Sequence, residues 1–198
     1  MPIRVIAGSA KGRRLKLVPG EGTRPIMDRV KEALFSILGR GVIGSRFLDL
    51  FAGTGSVGIE ALSRGARQTV FVEIDRRAVQ TIHDNLALAG LAERAIVRRT
   101  DVFQFLKHPP DQPFDYIYIA PPQYKRLWLE TLHSLDAQPT WTLPATTIIV
   151  QIDPNEEQPV EFSRLRSYDQ RRYGNTLLWF FAATPDPAKS EVPQEPDS

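Results

Sequence analysis

The chain has 198 residues, 42% of them hydrophobic and 24% charged, with a net charge of +2 and no cysteine. That length buries one good core, one domain plus an appendage, and leaves no room for the separate substrate domain of a dehydrogenase. The absence of cysteine excludes disulfides, thiolate nucleophiles and Cys-ligated zinc, and the lack of any apolar run near the ~20 residues that span a bilayer, or of a signal-peptide core, predicts a cytoplasmic protein.

The first forty residues carry nine Lys or Arg against three acids, a local excess of +6. Within them Ile3–Ala7 and Arg13–Val18 predict two short strands joined by a basic, glycine-containing loop, a hairpin extension over residues 1–22. Such a ribbon is marginal alone and must lean on the main domain or on a ligand. Its Arg4, Lys11, Arg13, Arg14 and Lys16 form the footprint of phosphate-backbone binding, with a merely solvated surface as the alternative. After a flexible stretch, Val30, Ala33, Leu34, Ile37 and Leu38 predict an amphipathic helix with Asp28 near its positive end and Gly39 at its stop.

From Arg46 onward strands and helices alternate, which predicts a parallel sheet with helices on both faces. Strands are expected at 46–51, 69–74, 94–98, 114–119 and 146–151, and helices at 55–64, 75–89, 101–107 and 125–135. Two β-rich runs, Val160–Tyr168 and Arg171–Ala182, separated by a short polar segment, predict a closing antiparallel pair. Residues 23–183 form the main domain in this reading, and the Pro-rich residues 184–198 a disordered tail. His83, His108 and His133 lie far apart without metal-ligand spacing, so no metal site is expected.

The most informative stretch is Phe47–Leu62. A short apolar run breaks into Gly53-x-Gly55-x-x-Gly58, which opens a helix: Gly53 and Gly55 let the backbone approach a ligand, and Gly58 lets the helix pack on the strand. Glu73 ends the next strand about 20 residues past the first glycine, where a carboxylate bonds ribose hydroxyls; the alternative is a cap for the helix near Asp75. The loop alone does not separate a nicotinamide cofactor from S-adenosylmethionine. Ala120-Pro121-Pro122-Gln123-Tyr124 adds rigid carbonyl acceptors at the carboxyl end of a central strand, suited to an amino nitrogen, with an aromatic to stack on a base; a plain proline turn is the alternative.

With these segments in place the chain resembles the bacterial RsmD-type guanine-N2 methyltransferases of small-subunit ribosomal RNA. The resemblance covers nearly everything from Ile3 to Phe181, through Arg4–Gly8, Gly12–Leu15, Arg24-Pro25 with Asp28–Phe35, Asp49–Arg64, Val72–Asp75 and the Pro-Pro loop. It implies a Rossmann-like class I methyltransferase fold: seven strands, mostly parallel, the last antiparallel, plus the small N-terminal hairpin and helix. It implies methyl transfer from S-adenosylmethionine to a guanine N2 of 16S ribosomal RNA, or of an assembling small subunit; a monomer is expected, although the sequence itself leaves oligomeric state open. Asp49, Phe51, Gly53 and Gly55 would line the cofactor's methionine and ribose region, Glu73 would hold the ribose, Asp101 would lie beside the adenine and Arg24 would close over the site. The hairpin would grip RNA.

One departure stands out. The family's loop usually begins with Asp or Asn before Pro-Pro and then Phe or Tyr, and here Ala120 offers only backbone beside Pro121 and Pro122, with Tyr124 displaced by one position. Losing such a hydrogen bond costs roughly 1 to 3 kcal/mol, about 5- to 150-fold in rate. A catalytically silent RNA-binding or assembly protein of the same fold is therefore the second hypothesis.

Overall fold

The computed structural model describes residues 3–20 and 26–184; Arg24 and the predicted tail beyond Thr184 lie outside them. The chain runs β1 (Ile3–Arg4), β2 (Arg14–Leu15), α1 (Asp28–Leu38), β3 (Arg46–Leu50), α2 (Ser56–Ser63), β4 (Gln68–Glu73), α3 (Arg76–Ala89), β5 (Ala95–Arg99), α4 (Val102–Leu106), β6 (Tyr116–Ile119), α5 (Leu127–Asp136), β7 (Thr147–Ile152), β8 (Leu165–Tyr173) and β9 (Thr176–Ala183).

Seven strands form one sheet in the order β5-β4-β3-β6-β7-β9-β8. β3 through β7 pair in parallel, and β9 is antiparallel to both of its neighbours. This is the class I methyltransferase fold expected from the sequence. Alternation along the central strands feeds two cores. Phe47, Phe71, Tyr118 and Ile149 face α1, α2 and α3, whereas Leu48, Val70, Ile117 and Ile148 face α4 and α5. Covered on both faces, these strands read as the near-continuous apolar runs that parallel sheets require.

α2 is buried at every one of its eight residues. On its inner side, a Cβ at Gly58 would stand 2.3 Å from the Phe71 ring, so only glycine lets the helix sit this close to β4. Its outer side is covered by the N-terminal segment. Glu60, fully buried, accepts hydrogen bonds from the Ile6 N–H (2.8 Å), the Ala7 N–H (3.0 Å) and Arg64 Nε (2.7 Å). Lys31 Nζ stands 3.5 Å from the same carboxylate and donates to the Arg4 carbonyl and to Ser56 Oγ. Burial pulls the Lys31 ammonium below its ordinary pKa, and Glu60 opposes that pull. Ser63 then bonds both Ala7 and Ala10. Thus the two-residue strands β1 and β2, much shorter than the predicted runs, pair with each other, and the chain between them is tied down by helix side chains.

The closing hairpin departs from expectation in one respect. The polar residues Asp169 and Gln170, expected to separate two runs, lie inside the nine-residue β8, and the turn falls at Gly174-Asn175. β8 is the sheet's edge, open to solvent on most of its length, so charged side chains there are compatible with a strand and guard against further pairing.

Candidate active site

The order β4-β3-β6 places β3 where successive crossovers diverge to opposite sides, and a crevice forms outside the carboxyl ends of the strands at such a point. A cleft of about 620 Å³ opens there, within the range of small-molecule sites. The glycine loop after β3 forms one wall, the loop after β6 the other, and Val18, Pro19, Gly20 and Ile26 from the N-terminal region form the rim.

The glycine wall is held from beneath. Asp49 Oδ2 accepts from the Gly58 N–H at 2.9 Å, and burial with the nearby Glu73 charge pushes its carboxyl up to about 8. Glu73 Oε2 accepts from the Gly53 N–H (2.8 Å), and Oε1 accepts from Ile74 and Asp75 (2.8 and 2.9 Å). The helix cap that was the alternative for Glu73 is made instead by Asp75, which accepts from the Arg77 N–H. Phe51, with φ 60, and Gly53, with φ 54, carry the turn that brings this backbone to the cleft. Asn85 ties the wall to the rim by donating to the carbonyls of Thr54 and Lys16 and accepting from the Lys16 N–H.

On the facing wall Ala120, Pro121, Pro122, Gln123 and Lys125 line the cleft. Tyr124 turns away: its backbone sits at φ 61, its N–H donates to Glu156 (2.9 Å) and its ring is 65% exposed. Asp153 receives the Tyr124 hydroxyl and raises its pKa. The floor between the walls is made by Tyr118 and Gln151, joined by a hydrogen bond from the phenol to the amide oxygen.

Of the sequence-predicted site residues, Asp49, Phe51, Gly53, Glu73, Ala120, Pro121 and Pro122 meet at this one cleft. Gly55 lies behind the lining as the left-handed N-cap of α2. Asp101 lies outside the lining, its carboxylate accepting from Phe103 and Gln104 at the start of α4. Among the basic residues, Arg4 pairs with Asp28 and Lys16 with Asp84, whereas Lys11, Arg13 and Arg14 are exposed and make no ion pair among the described residues. Sequence reasoning missed Tyr118, Gln151 and Lys125 in the cleft, and Lys31, Glu60 and Asn85 behind it. A charged residue inside the apolar run Val57–Leu62 was the available signal for Glu60, since a buried charge needs a partner.

Among the described residues no group of three or more His, Asp or Glu could hold a metal ion, and no helix is long and apolar enough to cross a membrane. The donors fit S-adenosylmethionine: a carboxylate at the end of β4, a close-approach glycine backbone, and a second, buried carboxyl, Asp49, beneath that wall.

The family model described as Conserved hypothetical protein 95 matches residues 3–182. The ribosomal RNA small subunit methyltransferase D of Haemophilus influenzae is 39% identical over 156 residues, spanning 78% of this chain and 80% of its own length. The solved structure of the Escherichia coli protein yhhF superposes with a TM-score of 0.80 at 30% identity, covering 92% of this chain and 98% of that one. An RNA methyltransferase of Salinibacter ruber in complex with S-adenosyl-L-homocysteine shares the fold at 19% identity, with a TM-score of 0.60 over 88% of this chain and 100% of that one. With the methyltransferase sheet, the glycine wall and the proline wall all in place, the chain belongs to the Conserved hypothetical protein 95 family, the RsmD-type methyltransferases.

Proposed function

We propose that this protein, acting as a cytoplasmic monomer, transfers a methyl group from S-adenosylmethionine to the N2 amino group of a guanine in small-subunit (16S) ribosomal RNA. One observation carries the reading: a single cleft sets the glycine wall of Asp49, Gly53 and Glu73 opposite Ala120-Pro121-Pro122, with the basic N-terminal segment running into its rim. The H. influenzae relative's name supports the ribosomal substrate.

Glu73, half exposed at the cleft, would hold the ribose hydroxyls with the lone pairs its backbone partners leave open. Phe51, Gly53 and Asp49 would contact the rest of the cofactor, which supplies an electrophilic methyl. Gly55 sets the loop's shape from behind. Asp101 beside the adenine and Arg24 over the site are proposals that rest on their matching positions. The chain's own task is alignment, because methyl transfer to nitrogen depends on holding the amine in line with the methyl. Carbonyls at 120–122, rigid because prolines fix the backbone, would accept from the amine at the cleft that these residues line. The base must leave its stack to reach them. Lys11, Arg13 and Arg14 would hold RNA phosphates and set the register.

Methyl transfer from labelled S-adenosylmethionine to small-subunit ribosomal RNA, naked and protein-bound, with nucleoside analysis of the product, tests the reading. N2-methylguanosine is the expected product. Binding of cofactor and RNA without transfer would instead support the silent assembly protein that Ala120 suggests.

A further inference from the structure

Three side chains on adjacent strands meet beneath the proline loop. Asp49 and Tyr118 stand abreast on β3 and β6, and the Tyr118 hydroxyl donates to Gln151 Oε1 near the carboxyl end of β7. Ile119 pairs with Val150, so the next residues, Ala120 and Gln151, come side by side at the sheet edge. They share a face. Ala120 packs against the core that contains Tyr118 and Leu178, and Leu178 is the register partner of Gln151 in β9. Asp49, Tyr118, Ala120 and Gln151 all line the cleft.

An aromatic amine presents two N–H donors and a lone pair delocalised into its ring. An acceptor on one N–H fixes the nitrogen and turns the lone pair toward the methyl. The loop offers main-chain carbonyls alone at 120–122. Gln123 lines the cleft from an exposed position on the loop, whereas Gln151 is half-buried and its amide is fixed by Tyr118. A carbonyl oxygen has two lone pairs, so one remains on Gln151 after Tyr118 is served. Asp49 already accepts from Gly58.

Resting on the proposed amine methylation, we infer that the Gln151 amide oxygen, oriented by the Tyr118 hydroxyl, accepts a hydrogen bond from the target amino group and supplies the side-chain acceptor that position 120 lacks. Burial holds the Tyr118 phenol well above its ordinary pKa, so it stays a donor at neutral pH. In the step itself the amine nitrogen forms a bond to the methyl carbon as that carbon's bond to the sulfonium sulfur breaks, the electron pair remaining on sulfur. The surplus proton on nitrogen then leaves to water. Gln151 takes no proton; it aims the nitrogen.

The test uses the full chain as wild type, Gln151→Leu, Ala120→Asn and the double variant. Gln151→Leu is expected to lower kcat about 10- to 100-fold, with affinity for S-adenosylmethionine unchanged. Ala120→Asn on that background is expected to recover most of the loss. A second readout needs no turnover: in the presence of S-adenosylhomocysteine, RNA with inosine at the mapped target, lacking the amino group, should bind wild type about 2- to 10-fold more weakly than guanine RNA, and Gln151→Leu should not distinguish the two. Unchanged kcat in Gln151→Leu, or equal inosine discrimination by both proteins, overturns the inference. So does joint loss of cofactor binding and activity without recovery in the double variant, which would make Gln151 a structural residue. A wild-type chain that yields no N2-methylguanosine overturns the proposed function and this inference with it; an active wild type matched by Gln151→Leu overturns this inference alone.

Discussion

Glu60→Gln isolates the buried hub that joins the N-terminal segment to α1 and α2. The carboxylate divides its work between two oxygens: Oε2 faces the Ile6 N–H and Lys31, and Oε1 faces the Ala7 N–H and Arg64. An amide has one oxygen, so either orientation sets an NH₂ against a backbone donor and leaves one cation without its partner. Lys31 is fully buried, whereas the Arg64 side chain is 21% exposed and also lies 4.9 Å over the Phe35 ring. Removing one partner of a buried pair costs about 3 to 5 kcal/mol, which for a chain of this size lowers Tm by roughly 6 to 20 °C. Lys31 has one escape. Because burial already lowers its pKa, it can fold neutral, and a base whose folded pKa lies below its unfolded value gains stability as pH rises. The Tm deficit of Glu60→Gln is therefore expected to shrink between pH 6 and pH 9. Thermal unfolding across that range, with hydrogen exchange at Ile6 and Ala7, measures both effects. A Tm within about 2 °C of wild type, or unchanged protection of those two amides, would refute the reasoning.

Asp49→Asn should stabilise the protein increasingly as pH rises: the carboxyl is raised from 3.8 to about 8 in the fold, so its stabilising share is complete below the lower value and lost through the upper. Between pH 5 and pH 8 the variant should gain about 4 kcal/mol on wild type in urea unfolding, and parallel pH curves would count against a buried, protonated Asp49. Gly8→Ala builds a Cβ 1.9 Å from the Ser63 carbonyl at a residue with φ +85; the segment must lift from α2, at about 2 to 4 kcal/mol, read as a drop in Tm together with weaker S-adenosylmethionine binding at the rim. Neutralising Lys11, Arg13 and Arg14 should flatten the salt dependence of RNA affinity by about 2 in log-log slope; an unchanged slope in a filter-binding titration would remove the hairpin from the RNA interface.

The alternation of strands and helices and the cleft's two walls were legible because each is written locally. Phe47–Phe51 is a short apolar run that stops at a glycine, and Ala120-Pro121-Pro122 is a break no strand can continue. The closing hairpin was harder. Asp169-Gln170 is polar enough to look like a connection between two runs, and only the place of β8 at the sheet edge carries the strand through them, a long-range fact. The local cue for the true turn was Gly174-Asn175, a two-residue loop with a positive φ at its glycine. Tyr124 illustrates the same limit. Its position beside the proline pair suggests a stacking ring, but nothing local tells that its N–H bonds the Glu156 carboxylate, 32 residues away, and that its hydroxyl meets Asp153.

The segments that carry the family resemblance include Lys31, Glu60, Ser63 and Arg64, and in the structure none of these lines the cleft. Lys31, Glu60 and Ser63 bind the backbone of residues 4–10 instead, and Arg64 bonds Glu60. Asn85 extends the same logic by bonding Thr54 in the glycine loop and Lys16, just past β2, with one amide. The segment proposed to meet RNA is thereby fixed to the helix that opens from the cofactor loop, through buried polar groups that fail together when one is removed. A loosened hairpin accordingly cannot be a purely RNA-binding defect: Val18, Pro19 and Gly20 move with it, and the cleft loses its rim. Substitutions at Glu60 or Gly8 should weaken cofactor and RNA binding together, whereas substitutions at Lys11, Arg13 and Arg14, which make no internal ion pair among the described residues, should weaken RNA binding alone.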